Sequence, residues 1–225
     1  MAKPTHAIDL STAADHLGAL GFWHADPVPE EFFIRTTLQW GSLFWGAMIL
    51  HFAIEAANAA RQPTGQAVVA DRDSRFMLGR VVLITGIAGF LVAFHLHSLA
   101  MPGPGRVYVA VGVALICLGM AIRQWAVDTL GRFFTFKLTV RGDQRVVDSG
   151  PYRVVRHPSY SGLLVSGIGT AVALGNWVSL GVIVVPAVLA LARRIQVEEG
   201  MLRQGLGPDY DRYAASRKRL VPGVW

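Results

Sequence analysis

The chain has 225 residues, of which 52% are hydrophobic and 16% are charged, and its mean hydropathy is +0.41. A soluble domain of this size is less apolar, so the composition indicates an integral membrane protein that resides in the lipid bilayer. The formal net charge of +6 suits the loops of such a protein, and the sequence has no basic-aromatic module of the kind that binds nucleic acid. We therefore expect no nucleic-acid partner.

Residues 1–36 are predicted to form an N-terminal arm ahead of the first membrane helix. The arm is acidic and lacks the basic and then apolar start that is typical of a signal peptide. Its apolar residues, among them Leu17, Leu20 and Trp23, suit a short helix lying in the outer membrane interface. A disordered arm is the alternative interpretation, and both remain open.

Residues 37–127 are predicted to contain three transmembrane helices, at roughly 38–57, 77–99 and 107–126. Each stretch is long enough to cross a hydrocarbon core of about 30 Å. Two shorter apolar stretches, at roughly 159–175 and 177–192, are joined by a tight connection and are predicted to form a helical hairpin. The predicted fold class is an all-α integral membrane protein with about five transmembrane helices, including this short C-terminal hairpin.

Arginine and lysine residues concentrate in the connections 61–80 and 123–156 and in the tail from residue 193. Positively charged loops remain on the cytoplasmic side. The pattern therefore predicts a protein of the cell inner membrane with its N-terminus outside and its C-terminus inside. Because a hairpin returns the chain to the same membrane face, we expect the connection 123–156 and the C-terminal tail to form a single site on the cytoplasmic side.

Polar and aromatic residues crowd into positions 150–162, directly before an apolar stretch. Lipid penalises such groups unless they have partners, so a polar cluster at a membrane boundary indicates a functional site. Pro151 and Pro158 each disfavour helical geometry in the preceding residue. The segment is therefore predicted to be a shaped turn that forms a binding site.

This segment and the region after the hairpin contain, in order, the motifs Arg156-His-Pro-Ser-Tyr160, Gly162, Asn176, Glu198-Glu199-x-x-Leu202 and Leu220-Val-Pro222. These motifs resemble the C-terminal signature of isoprenylcysteine carboxyl methyltransferases. The resemblance covers about Arg123 to the end of the chain. Phe136 stands where eukaryotic members have a histidine, and Pro151 is the form associated with prokaryotic members, so a prokaryotic type of member is expected.

The resemblance implies methyl transfer from S-adenosylmethionine, held in a cytoplasmic cofactor pocket roofed by the C-terminal tail. It makes residues 128–225 the expected catalytic region. Tyr152, His157, Tyr160 and Glu199 are the candidate cofactor-binding residues. Aromatic faces can hold the sulfonium or the adenine, the histidine can donate to a carboxylate or a ribose hydroxyl, and the glutamate can accept. Adjacent residues on a helix point about 100° apart, and the family pattern favours Glu199 over Glu198 as the residue that faces the cofactor.

Arg194, Glu198 and Arg123 are the candidate catalytic residues. An acceptor carboxylate is already ionised at pH 7 and needs only alignment with the methyl carbon, which either arginine could provide. An amine acceptor would instead need a base such as His157 or a glutamate. No metal site is predicted: His51 and Glu55 share one helix face and are interpreted as polar packing or as the lining of a substrate cavity.

The favoured acceptor is an amphiphilic small molecule or a prenylated substrate that bears a carboxylate, and no obligate protein partner is expected. A phospholipid N-methyltransferase is the first alternative. An NADPH-dependent enzyme similar to sterol reductases is the second, but such reductases carry an Arg-Asp pair where this chain has Glu198-Glu199. A non-enzymatic membrane scaffold would leave the polar cluster without an explanation.

Overall fold

The computed structural model describes residues 41–61, 69–71, 73–134, 138–140, 145–223 and 225. The predicted N-terminal arm, residues 1–36, and Phe136 lie outside these ranges. Helices make up most of the described chain. In order they are α1 (Gly41–Ala60), α2 (Asp73–His95), α3 (Gly105–Leu130), α4 (Pro158–Ala173), α5 (Trp177–Leu206) and α6 (Pro208–Ala215).

A two-stranded ribbon is the one departure from the predicted all-α class within the described residues. Strand β1 (Val69–Asp71) pairs with the antiparallel strand β2 (Leu138–Val140), with Val69 opposite Val140 and Asp71 opposite Leu138. Strands of three residues are too short to show an alternating pattern in a sequence, so they were not predicted. The ribbon joins the connection before α2 to the connection after α3, and it therefore holds these two connections at the same end of the molecule.

Four helices in the described chain are long and apolar enough to cross a membrane: Gly41–Ala60, Met77–His95, Gly105–Phe133 and Trp177–Leu206. The first three agree with the predicted spans. Helix α4 has 16 residues, and at 1.5 Å per residue it is about 24 Å long, which is shorter than the hydrocarbon core. The predicted hairpin is thus present, but its two helices are unequal.

Helix α5 extends well past residue 192, where the sequence prediction ended it. Its 30 residues reach Leu206 and include Arg194, Glu198 and Glu199. These charged residues were assigned to a tail because they interrupt the apolar run. In the structure they lie on the last turns of a helix whose earlier turns are apolar, so the helix itself positions them.

Small residues allow α3 and α4 to pack closely. A Cβ atom built on Gly162 would lie 2.6 Å from the carbonyl oxygen of Gly119, and one built on Gly169 would lie 2.7 Å from that of Gly112. Glycines and serines at such positions let two membrane helices approach backbone to backbone. This contact brings Arg123, one turn beyond Gly119, against the first turn of α4.

Asn176 holds the tip of the hairpin. Its side-chain oxygen accepts hydrogen bonds from the backbone N–H groups of Val178 and Ser179 at 3.0 and 3.1 Å, and so caps the first turn of α5. Its amide donates to the carbonyl oxygen of Leu96 at 2.9 Å, just after α2. The tip is thereby fixed at the α2–α3 connection, and the charged end of α5 returns to the first turn of α4.

Candidate active site

The turn before α4 is shaped as the two prolines predict. Residues Gly150–Arg153 form a 3₁₀ turn, and α4 begins at Pro158. Gly150 has a φ of +54°, and an added Cβ atom would lie 2.8 Å from Thr129 Oγ1, so glycine is required there. The turn buries Tyr152 and His157, which are 7% and 5% exposed.

The C-terminal segment pairs with this turn through its backbone. The N–H of Arg156 donates to the carbonyl oxygen of Lys218 at 2.8 Å, and the N–H of His157 donates to that of Arg219 at 3.0 Å. Ser161 Oγ donates to the carbonyl oxygen of Leu220 at 2.7 Å. Three consecutive tail residues are therefore fixed against the turn that carries His157.

Glu199 lies at the centre of a buried charge cluster. Its Oε1 is 3.3 Å from His157 Nε2 and 3.1 Å from an Arg156 guanidinium nitrogen, and its Oε2 accepts from Arg219 at 3.0 Å. Arg203 approaches the same oxygen at 3.5 Å. The Glu199 side chain is 1% exposed. Since a buried carboxylate needs such partners, Glu199 ties α5, the turn and the tail together.

A second polar chain runs beside this cluster. Arg194 Nε donates to Tyr160 Oη at 2.7 Å, and Tyr160 Oη donates to Glu198 Oε2 at 2.5 Å. The His157 ring stacks on the Tyr160 ring with centroids 5.7 Å apart. The predicted candidates on the turn and on α5 are thus brought together, with Glu198 and Glu199 in different environments.

Arg123 is paired with a glutamate from the first helix. Its guanidinium makes a two-pronged contact with the Glu55 carboxylate, with 2.6 Å between NH2 and Oε2. Its NH1 donates to Ser159 Oγ at 2.7 Å. Arg123 is 6% exposed, so the pair neutralises a charge that would be costly to bury alone. The interpretation of Glu55 as polar packing between helices agrees with this contact. Among the residues that the structure describes, no cluster of three possible metal ligands is found.

Three tyrosines beside the cluster remain neutral. Tyr213 Oη donates to the carbonyl oxygen of Tyr152 at 2.9 Å. Burial raises the pKa of Tyr213 to about 12, and it also raises the pKa of Tyr152 and of Tyr210 above the usual range. These side chains therefore offer ring faces and hydroxyl groups near pH 7, and none of them serves as a base.

A cavity of about 720 Å³ extends from this charged cluster into the space between the membrane helices. At one end, its walls carry charged and aromatic side chains from the start of α4 and the end of α5. Along the rest of its length, the lining is mostly apolar and comes from α1, α2, α4 and the first half of α5. The polar lining includes Arg123, Tyr152, Arg156, His157, Tyr160, Arg194, Glu198 and Tyr210, and the apolar lining includes Phe44, Met48, Val82, Leu83, Phe90, Leu163, Ile183 and Val184.

Six of the seven predicted site residues line this one cavity. Glu199 is the exception: it does not line the cavity, and its carboxylate contacts the turn and the tail instead. Glu198 lines the cavity. The predicted catalytic and cofactor-binding residues do not include Glu55, which the sequence analysis interprets only as polar packing or cavity lining, or Arg219. Glu55 had a signal, since a carboxylate within an apolar helix needs a partner, whereas Arg219 is one of several cations in the tail and had none.

Together, these observations define a helical integral membrane protein. Its internal cavity has a polar end and an apolar end. Residues 112–204 match the model of the isoprenylcysteine carboxyl methyltransferase (ICMT) family. Through this C-terminal region the chain is similar to the members of that family.

Curated relatives share the same region. The chain is 38% identical over 115 residues to protein-S-isoprenylcysteine O-methyltransferase B of Arabidopsis thaliana, covering 50% of this chain and 58% of that protein. It is 26% identical over 196 residues to the Schizosaccharomyces pombe protein-S-isoprenylcysteine O-methyltransferase, covering 86% and 77%. The chain thus spans less than two thirds of the length of the Arabidopsis relative. These relatives are eukaryotic, and the prokaryotic type predicted from Pro151 is not borne out.

The fold is also that of a solved structure. The structure of a eukaryotic intramembrane Ras methyltransferase, ICMT, superposes with a TM-score of 0.62 and covers 97% of this chain and 88% of that one. The sequence identity is 19%, so this likeness establishes the integral membrane fold and carries no statement about substrate.

Proposed function

We propose that the protein transfers a methyl group from S-adenosylmethionine to the carboxylate of an isoprenylcysteine-like amphiphile. The single observation that carries this proposal is the cavity, which joins a buried cluster of charged and aromatic residues to a long apolar lining. Such a shape suits a ligand with a reactive polar head and a hydrocarbon tail. The names of the curated relatives favour the same chemistry.

The residues at the polar end fit this cofactor. Arg156 Nε and Tyr210 Oη are buried and have no hydrogen-bond partner among the residues that the structure describes, although both side chains line the cavity. Buried polar atoms of this kind call for a ligand or water. A molecule with a carboxylate, an ammonium and ribose hydroxyls would satisfy them.

We assign the binding of the cofactor to the turn and to the tail next to it. Tyr152, His157 and Tyr160 line the cavity and offer ring faces and one imidazole. Glu199 supports this assignment indirectly, because its carboxylate holds His157 and Arg156 in place. When bound, S-adenosylmethionine supplies an electrophilic methyl group on a sulfonium centre.

We assign the orientation of the acceptor to Arg194, with Glu198 and Arg123 beside it. Arg194 lies one turn before Glu198 on α5 and is 3% exposed. Tyr160 fixes its guanidinium, and a fixed guanidinium offers a carboxylate a planar two-pronged donor. The charge of Arg123 is balanced by Glu55, so we propose that Arg123 shapes the polar end and supports Ser159.

An amine acceptor is the second candidate, because the carboxylates of Glu55 and Glu198 also line the cavity. A phospholipid N-methyltransferase would use such groups to hold an ammonium and to accept its proton. The comparisons with known proteins lend no support to an NADPH-dependent reductase.

We further propose that the site faces the cytoplasm of a cell inner membrane and that the N-terminus lies outside. The division into an arm (1–36), three membrane helices (37–127) and a catalytic region (128–225) is part of the same proposal. It is supported by the ribbon, which holds two of the cation-rich connections at one end of the molecule.

Two measurements test the proposed function. Calorimetric titration of the purified protein with S-adenosylmethionine, S-adenosylhomocysteine and NADPH should show binding of the first two alone. Incubation with methyl-labelled S-adenosylmethionine and either S-farnesylcysteine or phosphatidylethanolamine should give a base-labile methyl ester with the former. A base-stable product with the phospholipid alone would replace the proposal with the amine alternative, and binding of NADPH alone would overturn both.

A further inference from the structure

Several glycines on the membrane helices lie where two helices touch. At Gly89, a Cβ atom would lie 2.6 Å from Ile183 Cδ1, and at Gly162 it would lie 2.6 Å from the carbonyl oxygen of Gly119. These glycines are explained by helix packing, since any side chain would push two helices apart.

Gly86 on α2 and Gly167 on α4 lie away from such helix contacts. A Cβ atom built on either of them meets no atom of the described residues within 4 Å. Both line the cavity and both are half-buried. A glycine inside a helix costs about 1 kcal/mol relative to alanine, and helix packing does not account for that cost here. The space that a side chain would fill belongs to the cavity.

Both positions lie in the apolar part of the cavity. Gly167 follows Tyr160 by seven residues, which corresponds to about 10 Å along the axis of α4. Gly86 lies one turn before Gly89, which packs against Ile183. A ligand whose head lies at Arg194 and Tyr160 would therefore pass these two glycines with its tail and not with its head.

We propose that Gly86 and Gly167 determine the size of the prenyl tail that the protein accepts, by keeping the apolar part of the cavity wide. This inference rests on the proposed function, because it takes an isoprenylcysteine-like acceptor as the occupant. A leucine at either position would fill space that the distal part of the tail needs. Each methylene group that is kept from burial costs roughly 0.8 kcal/mol, or about a fourfold loss, so a leucine side chain should cost a long tail at least tenfold.

The test compares two acceptors that differ only in tail length, S-geranylcysteine and S-farnesylcysteine. In Gly86→Leu and Gly167→Leu, the ratio of kcat/KM for farnesyl over geranyl should fall at least tenfold relative to the parent. Gly167→Ala should give a smaller change in the same direction and guards against misfolding of the leucine variant. Affinity for S-adenosylhomocysteine should be unchanged in all three, since neither glycine lies at the polar end.

Matched controls come from two other helices of the bundle, α1 and α5. Gly46 on α1 and Gly181 on α5 are exposed, have no described atom within 4 Å of an added Cβ, and do not line the cavity. Gly46→Leu and Gly181→Leu should therefore leave the ratio within about twofold of the parent, because no tail carbon is displaced.

A binding measurement separates this inference from the proposed function. The same two probes are titrated into each variant in the presence of S-adenosylhomocysteine, which requires no turnover. If the parent binds both probes but methylates neither, the proposed function fails. A lowered preference of Gly167→Leu for binding the farnesyl probe would still support the role of these glycines in selecting tail size. If the leucine and alanine variants keep the parent's tail preference, or if the parent binds both tails equally, the inference is overturned.

Discussion

At the scale of single residues, the two adjacent glutamates differ in their surroundings. Glu199 is held by His157 and by three arginines, whereas Glu198 contacts Tyr160 and faces the cavity. The sequence could predict that both do not face one site, because neighbouring helix positions point apart. It could not predict which one is enclosed, since the partner Arg219 comes from a distant tail whose position depends on the whole fold.

The first prediction concerns affinity for the cofactor product. His157→Ala and Glu199→Ala should each weaken binding of S-adenosylhomocysteine by about 1.5–3 kcal/mol, because each removes a charge-assisted hydrogen bond from the turn. Calorimetry measures the change. Arg212→Ala, which removes an exposed ion pair with Asp209, is the matched control and should bind as the parent does. Unchanged affinity in both site variants would place the cofactor elsewhere.

The second prediction separates the acceptor from the cofactor. Arg194→Ala should lower kcat/KM for S-farnesylcysteine. The corresponding loss of transition-state stabilisation should be on the order of 2–5 kcal/mol, because an acceptor carboxylate would lose its buried partner. Arg194→Lys should restore only part of the activity, since an ammonium keeps the charge but not the planar fork. Affinity for S-adenosylhomocysteine should change by less than about tenfold in both variants. If Arg194→Ala instead abolishes that binding, Arg194 belongs to the cofactor site.

At the scale of secondary-structure elements, the lengths of the apolar runs in the sequence predict the membrane helices and their order. The three first spans, the tight hairpin and the turn shaped by Pro151 and Pro158 follow from apolar runs and backbone chemistry that a sequence displays. The end of α5 was missed, because charged residues on a helix surface look like a tail until their partners are known. The β1–β2 ribbon was missed because its two strands are short and distant in the chain.

The third prediction concerns the contact between α1 and α3. Glu55→Gln and Arg123→Gln should each destabilise the protein, because the first leaves the buried charge of Arg123 and the second the partly buried charge of Glu55 without its opposite. The double variant should be less destabilised than the sum of the two, by about 1–3 kcal/mol. Unfolding in mixed detergent, followed by helical circular dichroism, gives the free energies of unfolding. Strict additivity would show that the pair contributes no coupling between the two helices.

At the scale of the whole molecule, the polar cluster is recessed. Gly119 packs against Gly162, so the first turn of α4 lies level with Arg123, and α3 continues seven residues further to Leu130. At 1.5 Å per residue, the cluster therefore lies about 10 Å inside the end of α3. A recessed polar cluster with an apolar extension suits a ligand whose tail remains among the helices while its head reaches the charged residues.

The last prediction is the orientation of the molecule in the membrane. Single cysteines are introduced in a Cys117→Ser background at four exposed positions, Ser42, Arg61, Pro104 and Arg212. In intact cells a membrane-impermeant maleimide should label Ser42→Cys and Pro104→Cys, which lie at the start of α1 and just before α3. It should label Arg61→Cys and Arg212→Cys only after the cells are opened, because cation-rich segments stay in the cytoplasm. Ser42 and Arg61 lie at opposite ends of one helix, so each serves as the control for the other. Labelling of Arg61→Cys and Arg212→Cys from opposite sides would mean that the α4–α5 hairpin does not return the chain to the face where the turn and the tail must meet, and the cytoplasmic site would have to be abandoned.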